Sequence, residues 1–341
     1  MSKADPQQPI ELSGTALRAS ITPYGGYLAR LRVGNGRDIV LGHADGLGRR
    51  ADESSLGCLI GRHAGRIRSG MFHLDGWNHQ LTCNGVGAHL HGGFTGFGAC
   101  VWDVLDAAAD HLVLGLTSPD GHENYPGELS VRAEFRIIEG SRLRLCFEAT
   151  TTRNTLCSLT WHPYFNLAGH FGGHVGEHLV SLDADHYLPL AGDHCPTGDV
   201  LPVDGTPFDL RDLKRLGPGM VSSHPQIALV HGYDHYFVLP GEGLRRAARV
   251  LSPDARVSME VWTTQPGITF YTANGLDLRA RGKQDERYGR FEAFCLEPHG
   301  FPDADNHPSF PSNVLRPGET YREIIEYRFE THERGEAADR A

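Results

Sequence analysis

Histidine exchanges a proton near neutral pH in its ordinary state, and glutamate does so when it is partly dehydrated. Both occur here in short segments that break the alternation of the rest of the chain. These segments gather Gly, Pro, His and aromatic residues, the composition of functional loops on a β scaffold. His162 stands in the segment running from Leu159 to Gly169, and Glu297 follows Phe294-Cys295-Leu296 at the end of an apolar run. His89 and His91 flank Leu90 ahead of Gly92-Gly93, and Arg66 lies in the segment from Gly61 to Ile67 with Arg62 before it. Asp234 belongs to Gly232-Tyr233-Asp234-His235, Gln265 to Thr263-Thr264-Gln265-Pro266-Gly267, and a further segment spans Ser118 to Gly127. By residue type alone these segments admit proton-transfer chemistry, hydrogen-bonded core histidines, or a zinc or copper site using His89, His91, His231, His235 and His299. No carboxylate completes a recognised ligand spacing with those histidines, so no metal is expected. A serine hydrolase is disfavoured because the chain has no G-x-S-x-G elbow.

The elements that must carry these loops follow a period of two. Val131, Ala133, Phe135 and Ile137 share one face of an extended segment, as do Val257, Met259 and Val261, and Tyr321, Glu323, Ile325, Tyr327 and Phe329. Leu112–Leu116 and Leu143–Ala149 alternate in the same way, and Gly140-Ser141 reads as the hairpin turn between 131–138 and 142–150. Such half-buried strands are of antiparallel type. Helical signals are few: Asp52–Leu59 and Phe208–Leu213 each suggest a turn or two. No regular strand–helix alternation and no G-x-G-x-x-G follows a strand, which disfavours a doubly wound nucleotide fold. The expected architecture is an all-β sandwich forming one domain over 9–330, with flexible termini at 1–8 and 331–341.

Composition narrows the function. The 341 residues carry 32 Lys+Arg against 42 Asp+Glu, a formal charge of −10, which argues against nucleic-acid or anionic-membrane partners. No run approaches the ~20 apolar residues of a spanning helix, and no secretory signal is visible at the start. Seven cysteines without a C-x-x-C spacing read as free thiols packed as small hydrophobes, and a cytoplasmic location is expected.

Seven blocks, in order, make the chain resemble the aldose 1-epimerases, also called galactose mutarotases. They are Leu90-His91-Gly92-Gly93, Ser118 to Gly127, His162 to Gly169, Gly232 to His235, Thr263 to Gly267, Cys295 to Glu297, and the closing Phe301 to Ser312 with Leu315 to Glu319. The resemblance implies a large antiparallel β-sandwich of the galactose mutarotase-like type (a supersandwich), with no metal, no cofactor and a small-molecule sugar as substrate. It implies interconversion of the α and β anomers of a free aldose. By the same resemblance Glu297 is the base, His162 the acid, and His91 an assistant at the ring oxygen. Arg66, Asp234 and Gln265 become the sugar contacts, and Trp161, Tyr164 and Tyr271 candidates for a flat face against a pyranose.

The chain departs from the family pattern at Gly65, where Asn often precedes the site arginine, and at Trp161 and Pro163 beside the catalytic histidine. Two other readings stay open at this point. One is a sugar-phosphate epimerase using Arg62, Arg66 and Arg68 as an anion cluster. The other is a sugar-binding or sensing domain without catalysis, which has no need of an acid–base pair.

Overall fold

In the computed structural model residues 5–34, 36–50, 54–277 and 282–332 are described. The alternating segments pair antiparallel into a nine-stranded sheet. Its order is Asp103–Ala107, His111–Ser118, Leu129–Ile138, Arg142–Thr151, Tyr321–Thr331, Val257–Thr263, Arg245–Leu251, Leu179–Leu182 and Lys214–Arg215. A five-stranded antiparallel sheet follows the order Leu201–Pro202, His186–Tyr187, Asp234–Val238, Gly267–Tyr271, Cys295–His299. The first strands make a four-stranded sheet of Ile10–Ser13, Leu17–Thr22, Tyr27–Val33 and Arg37–Asp38.

One core joins the two larger sheets. Phe135, Met259 and Tyr327 from the first meet Ile268, Phe270 and Leu296 from the second in a single buried cluster. Trp161 and Phe165 fill it, Trp161 lying 5.0 Å from the Phe135 ring and Phe165 5.2 Å from Tyr327. Truncating either to alanine would cost about 3–5 kcal/mol. Trp161 is therefore a core residue and not a sugar platform: its indole N–H donates to the carbonyls of Gly26 and Gly57, each at 3.1 Å, and it has no exposed face.

The expected strands are present; the expected helices are not. Of Asp52–Leu59, residues 52–53 lie outside the described residues. The remainder turns into the short strand Leu59–Ile60, while the helix there comes earlier, at Gly46–Arg50. Phe208–Leu213 is irregular because the Thr206 hydroxyl donates to the Val203 carbonyl and accepts from the Phe208 N–H, closing a turn. Helices instead occupy Leu216–Met220 and Pro225–Val230. The hairpin turn between the two ten-residue strands centres one residue earlier than expected, on Glu139 and Gly140, both at positive φ. Of the expected flexible ends, 1–4 and 333–341 lie outside the described residues. Residues 5–8 form a turn whose Pro6 carbonyl accepts from the Tyr24 N–H, and Thr331 closes the last strand. All seven cysteines are free; Cys58, Cys157, Cys195 and Cys295 are buried and Cys83 is exposed. Among the described residues no helix is long and apolar enough to cross a membrane.

Candidate active site

The same period of two that builds the small sheet aims its chemistry. Ile268, Phe270 and Leu296 point to the core, so Thr269, Tyr271 and Glu297 point the other way, with Thr269 directly opposite Glu297 and Tyr271 opposite Asp234. Asp234, Tyr236, Thr269, Tyr271 and Glu297 all line one cavity of about 1220 Å³. The facing wall comes from two short pairings. Thr160–Trp161 pairs with Leu59–Ile60 and delivers His162 just past its end, while Arg66–Arg68 pairs with Ala88–Leu90 and brings His91 beside Gly65 and Arg66.

His162 and Glu297 meet inside this cavity. Nε2 of His162 lies 3.4 Å from Oε1 of Glu297, and the two side chains are only 5% and 2% exposed. Oε2 of Glu297 has no hydrogen-bond partner among the described residues. Burial drives the Glu297 carboxyl well above the ordinary range, the Asp234 carboxylate pushes it further, and Arg66 opposes both. The His162 ring is held by neighbours on several sides. Tyr164 stacks on it at 5.0 Å and 13°, while Tyr271 and His91 present edges at 6.4 and 5.2 Å.

His91 has a fixed tautomer. Its Nδ1 accepts from the Gly65 N–H at 3.3 Å, so in the neutral ring the proton sits on Nε2. Burial, then the charges of His162 and Arg66, hold its pKa well below 6.5, so the neutral form prevails at pH 7. Gly65 has φ +75°, a left-handed conformation that Gly and Asn tolerate best. Arg66 reaches Asp234 at 3.5 Å, and both side chains are about one-fifth exposed (23% and 19%), leaving hydrogen-bonding capacity toward the cavity.

Gln265 is not brought to the cavity. Its side-chain amide donates to the Tyr321 hydroxyl at 2.7 Å and to the Leu159 carbonyl at 3.4 Å, deep in the interior, and the Gln265 backbone carbonyl accepts from Arg245. Thr269 stands in the cavity instead. The Thr269 hydroxyl donates to His299 Nε2 at 2.8 Å, because His299 Nδ1 gives its hydrogen to the Gly300 carbonyl, and the threonine lone pairs stay available. Alternation around the core residue Phe270 was the signal in the sequence that marked 269 and 271.

Of the histidines weighed as metal ligands, His89 and His235 are engaged elsewhere. His89 bonds the Thr82 carbonyl and the Tyr125 hydroxyl, and His235 bonds the Asp234 N–H and Gln226. Among the described residues one group has donor atoms close enough for an ion: those of His91, His162 and Glu297 lie within 4.8 Å of one another. The His91 tautomer opposes coordination, since a metal-bound imidazole uses its second nitrogen as a donor rather than as an acceptor from a backbone N–H.

The arginines flanking Arg66 face elsewhere. Arg62 is buried, with Nε donating to the Ser118 hydroxyl and its two terminal nitrogens to the carbonyls of Ser118, Pro119, Pro126 and Gly127. Arg68 pairs with Asp193 and lies 3.7 Å from Asp303.

A cleft of this kind, with a carboxylate and an imidazole in contact, an adjacent N–H donor and a charged pair beside them on an antiparallel sandwich, defines an acid–base site for a polar ligand. The aldose 1-epimerase family profile matches residues 8–328, and the chain belongs to that family. It is 38% identical over 325 residues to the galactose mutarotase of Rattus norvegicus, covering 94% of this chain and 93% of that protein. It is 33% identical over 308 residues to the aldose 1-epimerase of Escherichia coli K12, covering 88% of each. Among solved structures it is similar to an aldose epimerase homologue from C. elegans, with TM-score 0.89 and 28% identity over 96% of this chain and all of the other. A galactose 1-epimerase from Lactobacillus acidophilus gives TM-score 0.83 and 27% identity over 95% of each chain.

Proposed function

We propose that the protein is an aldose 1-epimerase, an isomerase that interconverts the α and β anomers of a free aldose by opening and reclosing the hemiacetal ring. Glu297 takes the proton of the C1 hydroxyl while protonated His162 delivers one to the ring oxygen. The C1–C2 bond then turns, and the ring closes with both transfers reversed. Counted over the pair, one proton is present throughout: on His162 before opening and on Glu297 after it. The two groups therefore need no exchange with solvent during turnover. His91 offers its Nε2–H to the ring oxygen, and Arg66 and Asp234 hold sugar hydroxyls, with Thr269 as an additional acceptor.

The observation that carries this reading is the 3.4 Å contact between His162 and Glu297 in one cavity. A binding protein has no use for a dehydrated carboxylate kept against an imidazole. The sugar-phosphate reading is weakened because Arg62 and Arg68 spend their forks on loop carbonyls and on Asp193 and Asp303. We further propose that 9–330 act as one domain, that the reaction runs without metal or cofactor, and that the free thiols belong to a cytoplasmic protein. Polarimetry of freshly dissolved α-anomers of galactose, glucose, xylose, arabinose and fucose tests the activity. Accelerated relaxation is expected for at least one sugar; binding with unchanged relaxation of all five would replace the enzyme by a sensor.

A further inference from the structure

A second recess of about 650 Å³ opens on the four-stranded N-terminal sheet. Arg30 and Arg32 line it from the outward face of Tyr27–Val33; both are exposed, and neither makes an ion pair among the described residues. Arg32 stands directly opposite exposed Arg18 on the neighbouring strand. Like charges so paired are destabilising, and this chain is acidic overall. Lys283 enters from the other wall, buried, with Nζ donating to Asp38 Oδ2 at 2.8 Å and to the Val40 carbonyl at 2.6 Å. An ammonium has three hydrogens, so one remains.

The acids here are already engaged. Asp38 accepts from Lys283 and from the Leu31 N–H, and Asp45 accepts from the Gly48 N–H. Arg37 is paired outward with Asp254. His170, on the rim, has its pKa held down to about 4, by burial first and then by the charge of Lys283; Asp38 opposes this, and Arg30 adds to it. Among the charged residues that line the recess, Arg30, Arg32, Arg49 and Lys283 outnumber the carboxylates Asp38 and Asp45. Beside His170, the Phe171 ring is 46% exposed and also lines the recess, offering an apolar face to the organic part of a ligand.

We propose that this recess binds a small phosphate ester, its phosphates gripped by Arg30, Arg32 and Lys283. Paired guanidinium forks and an ammonium suit a multiply charged phosphate, and the volume suits an organic phosphate rather than a bare ion. The proposal does not depend on the sugar chemistry of the other cavity.

Isothermal titration of the full-length protein with ADP, and with adenosine as the uncharged control, tests it. ADP should bind at one site, and adenosine at least tenfold more weakly. The Arg30→Ser/Arg32→Ser variant, with an unchanged circular-dichroism spectrum, should lose about tenfold or more in ADP affinity. Arg66→Met, which alters the sugar cavity, should leave ADP affinity unchanged. No heat with millimolar ADP, equal binding of adenosine, affinity unmoved in the double variant, or binding lost with Arg66→Met would each overturn the proposal.

Discussion

Nε2 of His162 touches Oε1 of Glu297 at 3.4 Å, while Oε2 of the same carboxylate has no protein partner among the described residues. One oxygen thus faces the imidazole, and the other is buried without a hydrogen-bond partner among the described residues. Replacing the carboxylate by an amide keeps the shape and removes the base. Glu297→Gln should lower kcat by about 10²–10⁴-fold and leave the Kd for galactose within about tenfold of wild type. Stopped-flow polarimetry and titration calorimetry measure the two; near-normal kcat would reject the assigned role.

The environment of Glu297 sets the acid side of the pH profile. Its pKa is raised by burial, then by Asp234, and is lowered by Arg66. A base must be ionised, so kcat/KM should rise with pH through this elevated apparent pKa, which belongs to the coupled pair. Asp234→Asn removes a like charge and should move the acid limb to lower pH. Arg66→Met removes the opposing cation and should move it to higher pH. Profiles of kcat/KM from pH 4 to 9 decide this: limbs that stay put, or move in the same direction, would contradict the assignment.

His162 and Glu297 are legible in the sequence through the blocks in which they stand, although those segments break the alternation around them; the faces they occupy follow only once the sheet is known. Alternation fixes which face a strand residue occupies, so Leu296 in the core forces Glu297 out of it, and Phe270 does the same for Thr269 and Tyr271. What alternation does not encode is where a loop side chain goes. Gln265 reads as a polar loop residue, yet its amide is consumed by Tyr321 and Leu159, each more than fifty residues away. Trp161 sits beside His162 but on the opposite face of its short strand, so it enters the core. Arg62, Arg66 and Arg68 look equivalent in the sequence. Their fates are decided by Ser118, Asp234 and Asp193, partners that only the tertiary fold supplies.

Gly65 holds His91 in its tautomer through one backbone N–H, and it does so at φ +75° with a new Cβ only 3.0 Å from Cβ of Pro302. A β-branched side chain is least tolerated in this conformation. Gly65→Val should cost about 1–3 kcal/mol in urea unfolding and reduce kcat as the N–H leaves His91. Gly65→Asn, which accepts left-handed geometry, should cost less than about 1 kcal/mol. Equal penalties for the two variants would mean that backbone conformation is not what selects this residue.

The donor atoms of His91, His162 and Glu297 fall within 4.8 Å, so the trio has the composition of a metal site. Because Nδ1 of His91 accepts from Gly65, its other nitrogen carries a hydrogen and serves an oxygen better than a cation. Exhaustive dialysis against EDTA should therefore leave kcat unchanged, and added zinc should inhibit by occupying the pair. Loss of activity on dialysis, restored by zinc, would convert this acid–base site into a metal site.

Arg62 separates structural from substrate roles among the clustered arginines. Its guanidinium satisfies the hydroxyl of Ser118 and four carbonyls of the 118–127 loop, with its charge 5.8 Å from the Tyr125 ring centroid. Burial lowers its pKa only to about 10, so it remains charged at pH 7. Arg62→Met leaves those acceptors buried and unpaired, and should cost about 3 kcal/mol or more in urea unfolding. Lying outside the sugar cavity, it should not change the ratio of kcat/KM for glucose to that for glucose 6-phosphate, measured on the folded variant at low temperature. A tenfold shift in that ratio, with stability intact, would return Arg62 to the substrate and revive the sugar-phosphate reading.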